Sequence, residues 1–209
     1  METDKIKQLL ASWEKRNING VYCDSKERAI DTLLAAVPLS ASVGFSGSVT
    51  LDQLGLMQRL EGRGNKVFNQ YQPGLSRQEN LASRRLGSQA DYYLTSANAL
   101  AATGELVFFS GYGNRTSGIS YAEHVIVVCG INKITADLPS ALKRSREYAT
   151  PRNCKRLSWD APCLKDGICK QDICFFPEYK RMCCQVLVIE AEVAPGRLQV
   201  ILVGEDLGF

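Results

Sequence analysis

The chain has 209 residues, 45% of them hydrophobic, and a formal net charge of +3. That size suits one domain over 1–209 with a full core. Its Lys and Arg residues are scattered rather than massed, so no nucleic-acid footprint is expected. No apolar run is long enough to span a bilayer, and Met1-Glu2-Thr3-Asp4-Lys5 lacks the basic head and apolar stretch of a signal peptide. A cytoplasmic protein without a membrane span is the expectation.

The N-terminal part, 1–40, reads as mainly helical. Ile6, Leu9, Leu10 and Trp13 form one stripe of a helix over 2–16. A short strand is expected at Gly20–Cys23. Asp24 or Ser25 then caps a helix that turns Ala29, Ile30, Leu33 and Leu34 inward and ends before Pro38. Further on, strands are expected at Ser42–Phe45, Lys66–Asn69, Tyr92–Thr95, Glu105–Ser110 and Val125–Gly130. Helices are expected at Leu51–Arg59, Ser76–Leu86 and Asp137–Tyr148, the last stopping near Pro151. Strands alternating with helices imply an α/β fold, with a mainly parallel sheet flanked by helices. Runs such as Val125-Ile126-Val127-Val128 suit strands covered on both faces.

Residues 151–184 break that rhythm and read as an irregular, Cys-rich excursion. After it, Gln185–Glu190 and Arg197–Val203 read as two strands. With the turn signal Pro195-Gly196 between them, a closing C-terminal hairpin is expected.

Three segments carry candidate chemistry. Gly44, Ser46, Gly47, Ser48 and Thr50 lie between a predicted strand and a predicted helix. Glycines let the backbone approach a ligand, and free N–H groups with hydroxyls suit an anion. The same residues also fit an ordinary turn with Ser48 or Thr50 as helix cap. The segment has neither the Gly-Lys-Ser/Thr ending of a P-loop nor the dinucleotide glycine spacing.

The second segment is a pair of polar loops at strand ends, where open α/β sheets place their ligands. One holds Asn98 and Glu105; the other holds Asn114 and Arg115. Arg115 can grip a carboxylate or phosphate in a fork. Lys133, just past Val125–Gly130, is a further anion-binding candidate. Glu105 is the candidate catalytic base or nucleophile, beside its plainer reading as a surface charge. His124, the single histidine, reads as a strand-edge residue rather than a catalytic one.

The third segment is the excursion, which holds six of the eight cysteines. Paired structural disulfides are not expected in a reducing compartment. Cys163, Cys169, Cys174 and Cys183 are the candidate metal ligands, because thiolate-only sets suit an iron–sulfur cluster or, as the alternative, zinc. Their spacing is neither the bacterial ferredoxin run nor a paired zinc ribbon. Cys184 is expected to point away from Cys183.

Taken in order, several motifs resemble the short LUD-domain (lactate-utilisation) proteins. They are Val43-Gly44-x-Ser46-Gly47-Ser48-x-Thr50-Leu51, Asn98-Ala99 through Thr103-Gly104-Glu105-Leu106, and Gly113-Asn114-Arg115. Downstream follow Gly130-x-Asn132-Lys133, Pro151-x-Asn153-x-x-Arg156-Leu157, Pro162-Cys163 with Gly167-x-Cys169, and Val200 through Gly208. Ser46 stands where that pattern carries glycine.

The resemblance implies a fold like that of ribose-5-phosphate isomerase and the CoA-transferases. It also implies a component of a redox system that oxidises L-lactate or a related 2-hydroxy acid, working with a redox partner protein. Two alternatives stay open: an isomerase- or CoA-transferase-like enzyme on a phosphorylated or CoA-linked metabolite, and a non-catalytic metal-binding module. In the first two readings the ligand is a small anionic metabolite.

Overall fold

The structure, a computed structural model, describes residues 2–169, 174 and 181–209. The rest of the excursion lies outside the described residues. Six parallel strands form the main sheet: β1 (Asn19–Cys23), β2 (Ser42–Phe45), β3 (Lys66–Val67), β4 (Tyr92–Thr95), β7 (His124–Gly130) and β10 (Leu198–Val203). Their spatial order is β1-β10-β7-β4-β2-β3.

The central strands are apolar on both faces, and each face has its own core. Along β7, Ile126 and Val128 turn into one core while Val125, Val127 and Cys129 turn into the other. β10 divides likewise, with Ile201 and Val203 against Leu198, Val200 and Leu202. This is the period of two working with cover on both sides.

On the first face lie α2 (Lys26–Ala36), α3 (Val49–Gln53) and α4 (Leu56–Gly62), which bring Leu33, Leu51 and Leu60. On the second lie α1 (Glu2–Lys15), with Trp13 wholly buried, and α6 (Asn114–Tyr121), with Ile119. A smaller mixed sheet joins that second face. It orders β8 (Ile134–Thr135), β5 (Ala99–Ala101), β6 (Leu106–Ser110) and β9 (Gln185–Ile189). Leu100, Leu106 and Phe108 face the main sheet, while Val107 and Phe109 face Ala141 of α7 (Leu138–Arg144). The helix α5 (Arg77–Gly87) packs on β2 and opens with a reciprocal Ser76–Glu79 capping box.

Four expectations need correction. The closing hairpin does not form. Gly196 does sit in a left-handed turn at φ 75°, but β9 pairs antiparallel with β6 in the small sheet, whereas β10 runs parallel between β1 and β7. β10 is buried almost throughout and β9 is half exposed, so the two cannot share an environment. The helix expected over 51–59 is two helices, because Gly55 takes a left-handed φ of 59° and ends the first.

The helix expected to stop near Pro151 instead continues. Ser145–Ala149 widens into a π turn in which the Thr150 N–H bonds to the Ser145 carbonyl. Pro151 then falls in the first turn of α8 (Thr150–Arg156), where its missing N–H is harmless. Finally, Asn114 and Arg115 sit in a helix rather than a loop, and the strand before them, β6, belongs to the small sheet. α9 (Pro162–Asp166) adds a short helix inside the excursion.

Candidate functional site

Parallel strands point their carboxyl ends the same way, so the residues beyond β2, β4 and β7 meet at one edge of the main sheet. A cavity of about 320 Å³ opens there. Ser46, Gly47, Ser48 and Thr50 line it from beyond β2, and Asn98 and Lys133 from beyond β4 and β7. Asn114 and Arg115 close it from the start of α6.

Arg115 ties the walls together. Its Nε donates to Ser46 Oγ at 3.2 Å, one terminal nitrogen to Asn98 Oδ1 at 3.1 Å and the Phe109 carbonyl at 3.0 Å, and the other to the Gly47 carbonyl at 2.7 Å. Ser46 therefore has a defined use: its hydroxyl accepts from Arg115 and also pairs with Thr95 Oγ1 at 2.7 Å. Arg115 is half-buried, and burial pulls its guanidinium below its ordinary pKa without discharging it.

Lys133 is only 3% exposed. Its ammonium donates to Ser96 Oγ at 2.8 Å, Thr50 Oγ1 at 3.0 Å and the Ala97 carbonyl at 3.2 Å. These oxygens satisfy its protons but carry no full negative charge. Among the described residues no Asp or Glu lines the cavity, and neither Lys133 nor Arg115 has a salt-bridge partner. Arg84 and Arg156 add two more cations to the wall, and Arg84 Nε is buried without a hydrogen-bond partner. The described wall is thus cationic and carries no acidic side chain. A buried charge without a partner is costly.

Burial lowers the Lys133 pKa from 10.5 to about 8. Below that pH the folded chain carries the charge at a cost. Between the folded and ordinary values the unfolded chain holds a proton that the folded chain has released, so this residue makes stability rise with pH across that window. Anion affinity should run the opposite way. It is expected to fall as pH rises through about 8, and the fall should vanish in Lys133→Met. Titrations at several pH values on both proteins check this; a slope equal in the two would refute it.

Other sequence candidates fall elsewhere. Ser48 does cap α3, accepting from the Leu51 N–H at 3.3 Å, and it lines the cavity as well, so both readings of the loop hold for one residue. Gly44 does not line the cavity; it lies in β2 where the strand touches α5 at Gly87. Glu105 is also outside the cavity, at the β5–β6 turn. Its carboxylate meets Arg16 at 2.8 Å and the Thr103 hydroxyl. Burial raises its pKa, but these two partners outweigh that and hold it low. His124 opens β7 and stacks on Tyr92 at 4.6 Å.

Ser96, Arg84 and Arg156 were not singled out from the sequence. Ser96 directly follows β4, so the strand-end rule could have found it. Arg156 stands in the family-like pattern of Pro151 to Leu157.

The cysteines meet behind this cavity. All eight are free thiols. Five of them, Cys154, Cys163, Cys169, Cys174 and Cys183, line one small cavity of about 20 Å³. Cys154, from α8, was not among the predicted ligands; its thiol is hydrogen-bonded to that of Cys163, and burial pushes its pKa up. Burial, then the neighbouring thiols, likewise raises Cys169 and Cys174. Cys184 is exposed and Cys183 buried, so the two diverge. Among the described residues no group of three or more Cys, His, Asp or Glu is already arranged to hold a metal ion. No helix among them is long and apolar enough to cross a membrane.

No curated protein is significantly similar to the chain. Among solved structures, a DUF162 family protein from Deinococcus radiodurans matches with a TM-score of 0.55 at 12% identity, covering 98% of this chain and 99% of that one. At that identity the likeness is one of fold. Partial matches extend to eIF2B beta from Chaetomium thermophilum, with TM-score 0.39, 16% identity and 56% of this chain against 45% of that one. They extend also to ribose 5-phosphate isomerase from Plasmodium falciparum, with TM-score 0.34, 18% identity and 53% against 52%. The family model described as the LUD domain matches residues 6–203, and the chain therefore belongs to the LUD-domain family, associated in general terms with lactate utilisation.

Proposed function

We propose that the cationic cavity binds a small organic anion, L-lactate or a related 2-hydroxy acid, and that the chain serves a redox system oxidising it together with a partner protein. The observation that carries this reading is the pairing of Lys133 and Arg115 in one cavity with no acidic side chain among the described residues of its wall. Arg115 spends four of its five N–H groups on protein oxygens, which leaves one for a ligand. Lys133 spends its protons internally and contributes field rather than a direct bond. An entering carboxylate would bring a negative charge beside the buried Lys133 ammonium and the half-buried Arg115 guanidinium, where such a pairing is favourable.

A second reading has its own support. The cavity, about 320 Å³, exceeds what a three-carbon acid needs, and Arg84 and Arg156 bring its cations to four. A phosphorylated or CoA-linked metabolite would use both features.

Calorimetric titration with L-lactate, pyruvate, inorganic phosphate and coenzyme A separates the readings. The first expects L-lactate or pyruvate to bind, with affinity at least about tenfold weaker in Lys133→Met, as loss of a nearby buried positive charge implies. Binding of phosphate or coenzyme A alone replaces it with the second. Failure of all four anions to bind overturns both.

A further inference from the structure

We propose that the thiol cavity behind the anion site is a binding site for a thiophilic metal, with Cys163, Cys169, Cys174 and Cys183 as its ligands. The thiols come from separate stretches of chain: Cys163 from α9, Cys169 from just after it, Cys174 from further along, and Cys183 from just before β9. They nonetheless border one cavity of about 20 Å³.

Three features favour a metal over simple packing. First, the buried cluster among the described residues of the excursion is Cys154, Ala161 and Cys163, with Trp159 and Met182 packed alongside. Two of its three members are thiols, and a metal held by such thiols would add order here, because metal binding free energy becomes folding free energy. Second, among the described residues the donors are sulfur alone: no described His, Asp or Glu lines the cavity, which suits zinc or an iron–sulfur cluster and disfavours hard cations. Third, Arg146 and Arg181 also line it. A metal held by four thiolates is a net anion, so two guanidiniums at its edge are complementary.

Thr150 and Met182 border both this cavity and the anion cavity. The metal would therefore sit one side-chain layer from the bound anion. With iron–sulfur chemistry, that places an electron carrier beside the ligand; with zinc, it makes the metal a brace for the cavity wall. Either source uses the same thiolates. Ligation asks each thiol to lose its proton and the side chains to close on the ion, since they are not yet so arranged.

The site does not depend on the identity of the anion, and its test reads metal, not turnover. The full chain is purified anaerobically and its zinc, iron and sulfide are counted. About one zinc, or about four iron with matching sulfide, is expected per chain. Serine at 163, 169, 174 or 183 should each lower that content at least fivefold, while Cys184→Ser, whose thiol is exposed outside the cavity, should keep it. If the serine variants do not fold, the wild-type chain stripped of metal is titrated with cobalt(II), and a thiolate-to-metal charge-transfer band is expected. A folded wild-type chain that contains neither metal and gives no such band overturns the proposal. So does metal content unchanged in all four variants.

Discussion

Arg115→Ala should lower the unfolding free energy by about 3–4 kcal/mol, near the top of what single substitutions do. The guanidinium donates to four oxygens from three segments: Ser46 and Gly47 beyond β2, Asn98 beyond β4, and Phe109 in β6. Alanine leaves the Gly47 and Phe109 carbonyls short of a partner, at about 1–3 kcal/mol for each buried group left unsatisfied. One effect opposes this. The wall already holds Lys133, Arg84 and Arg156, so removing a cation relieves repulsion. That relief is a screened interaction between partly solvated charges and is smaller than the lost bonds. Arg115→Lys should fall between, since it keeps the charge but loses the fork. Urea denaturation measures both. A loss under about 1 kcal/mol for Arg115→Ala would show that the guanidinium is not the tie described here.

Gly44→Ala should be at least as damaging, for a reason unrelated to ligand binding. A Cβ at Gly44 would lie 1.7 Å from the Gly87 carbonyl oxygen and 2.5 Å from its carbon. These are backbone atoms, so no side chain can swing aside. β2 and α5 would have to part, and overpacking of this kind costs about 3 kcal/mol or more. For a chain of this size that is a melting-point drop of roughly 8 °C or more. The displacement would also disturb the loop at Ser46–Ser48, so anion binding should weaken with it. Gly87→Ala is the internal comparison: its Cβ meets Phe68 at 3.3 Å and Gly44 at 3.4 Å, so its cost should be smaller. Thermal melting of the two variants within about 2 °C of wild type would refute the close-contact explanation.

The strands were legible where burial on both faces wrote them plainly. Val125 to Gly130 reads as a covered strand because each face of β7 has a core of its own. The short strands were not legible. Ala99-Leu100-Ala101 is a run of good helix formers, yet it is β5, held between β6 and β8 by pairing from both sides. α6 was missed because Asn114-Arg115-Thr116-Ser117-Gly118 has no helical apolar period; only Gly118 and Ile119 of that helix are buried. The false hairpin came from weighing the turn at Pro195-Gly196 above the unlike burial of the strands on either side.

The candidate site was partly legible for a related reason. Strand-end loops rich in Gly, Ser and Asn are where a parallel sheet places ligands, so Ser46, Asn98 and Lys133 could be picked out without knowing the register; Arg115 reaches the same cavity from the start of α6, after a strand of the small sheet. Glu105 satisfied the same rule and still lies elsewhere, because its turn joins two strands of the small sheet rather than ending a strand of the large one. The cysteines were visible by count. That Cys154 joins them depends on α8 continuing through Pro151, which local sequence rules disfavour.

The measurement that bears most directly on the cationic cavity is a crystal structure of the chain grown or soaked with L-lactate. A carboxylate is expected between the Arg115 guanidinium and the loop at Gly47–Thr50, within reach of the Lys133 field, with its occupancy lower in Lys133→Met crystals at the same sub-saturating concentration. A cavity that holds only water at saturating L-lactate, or a carboxylate bound elsewhere on the molecule, would contradict the assignment.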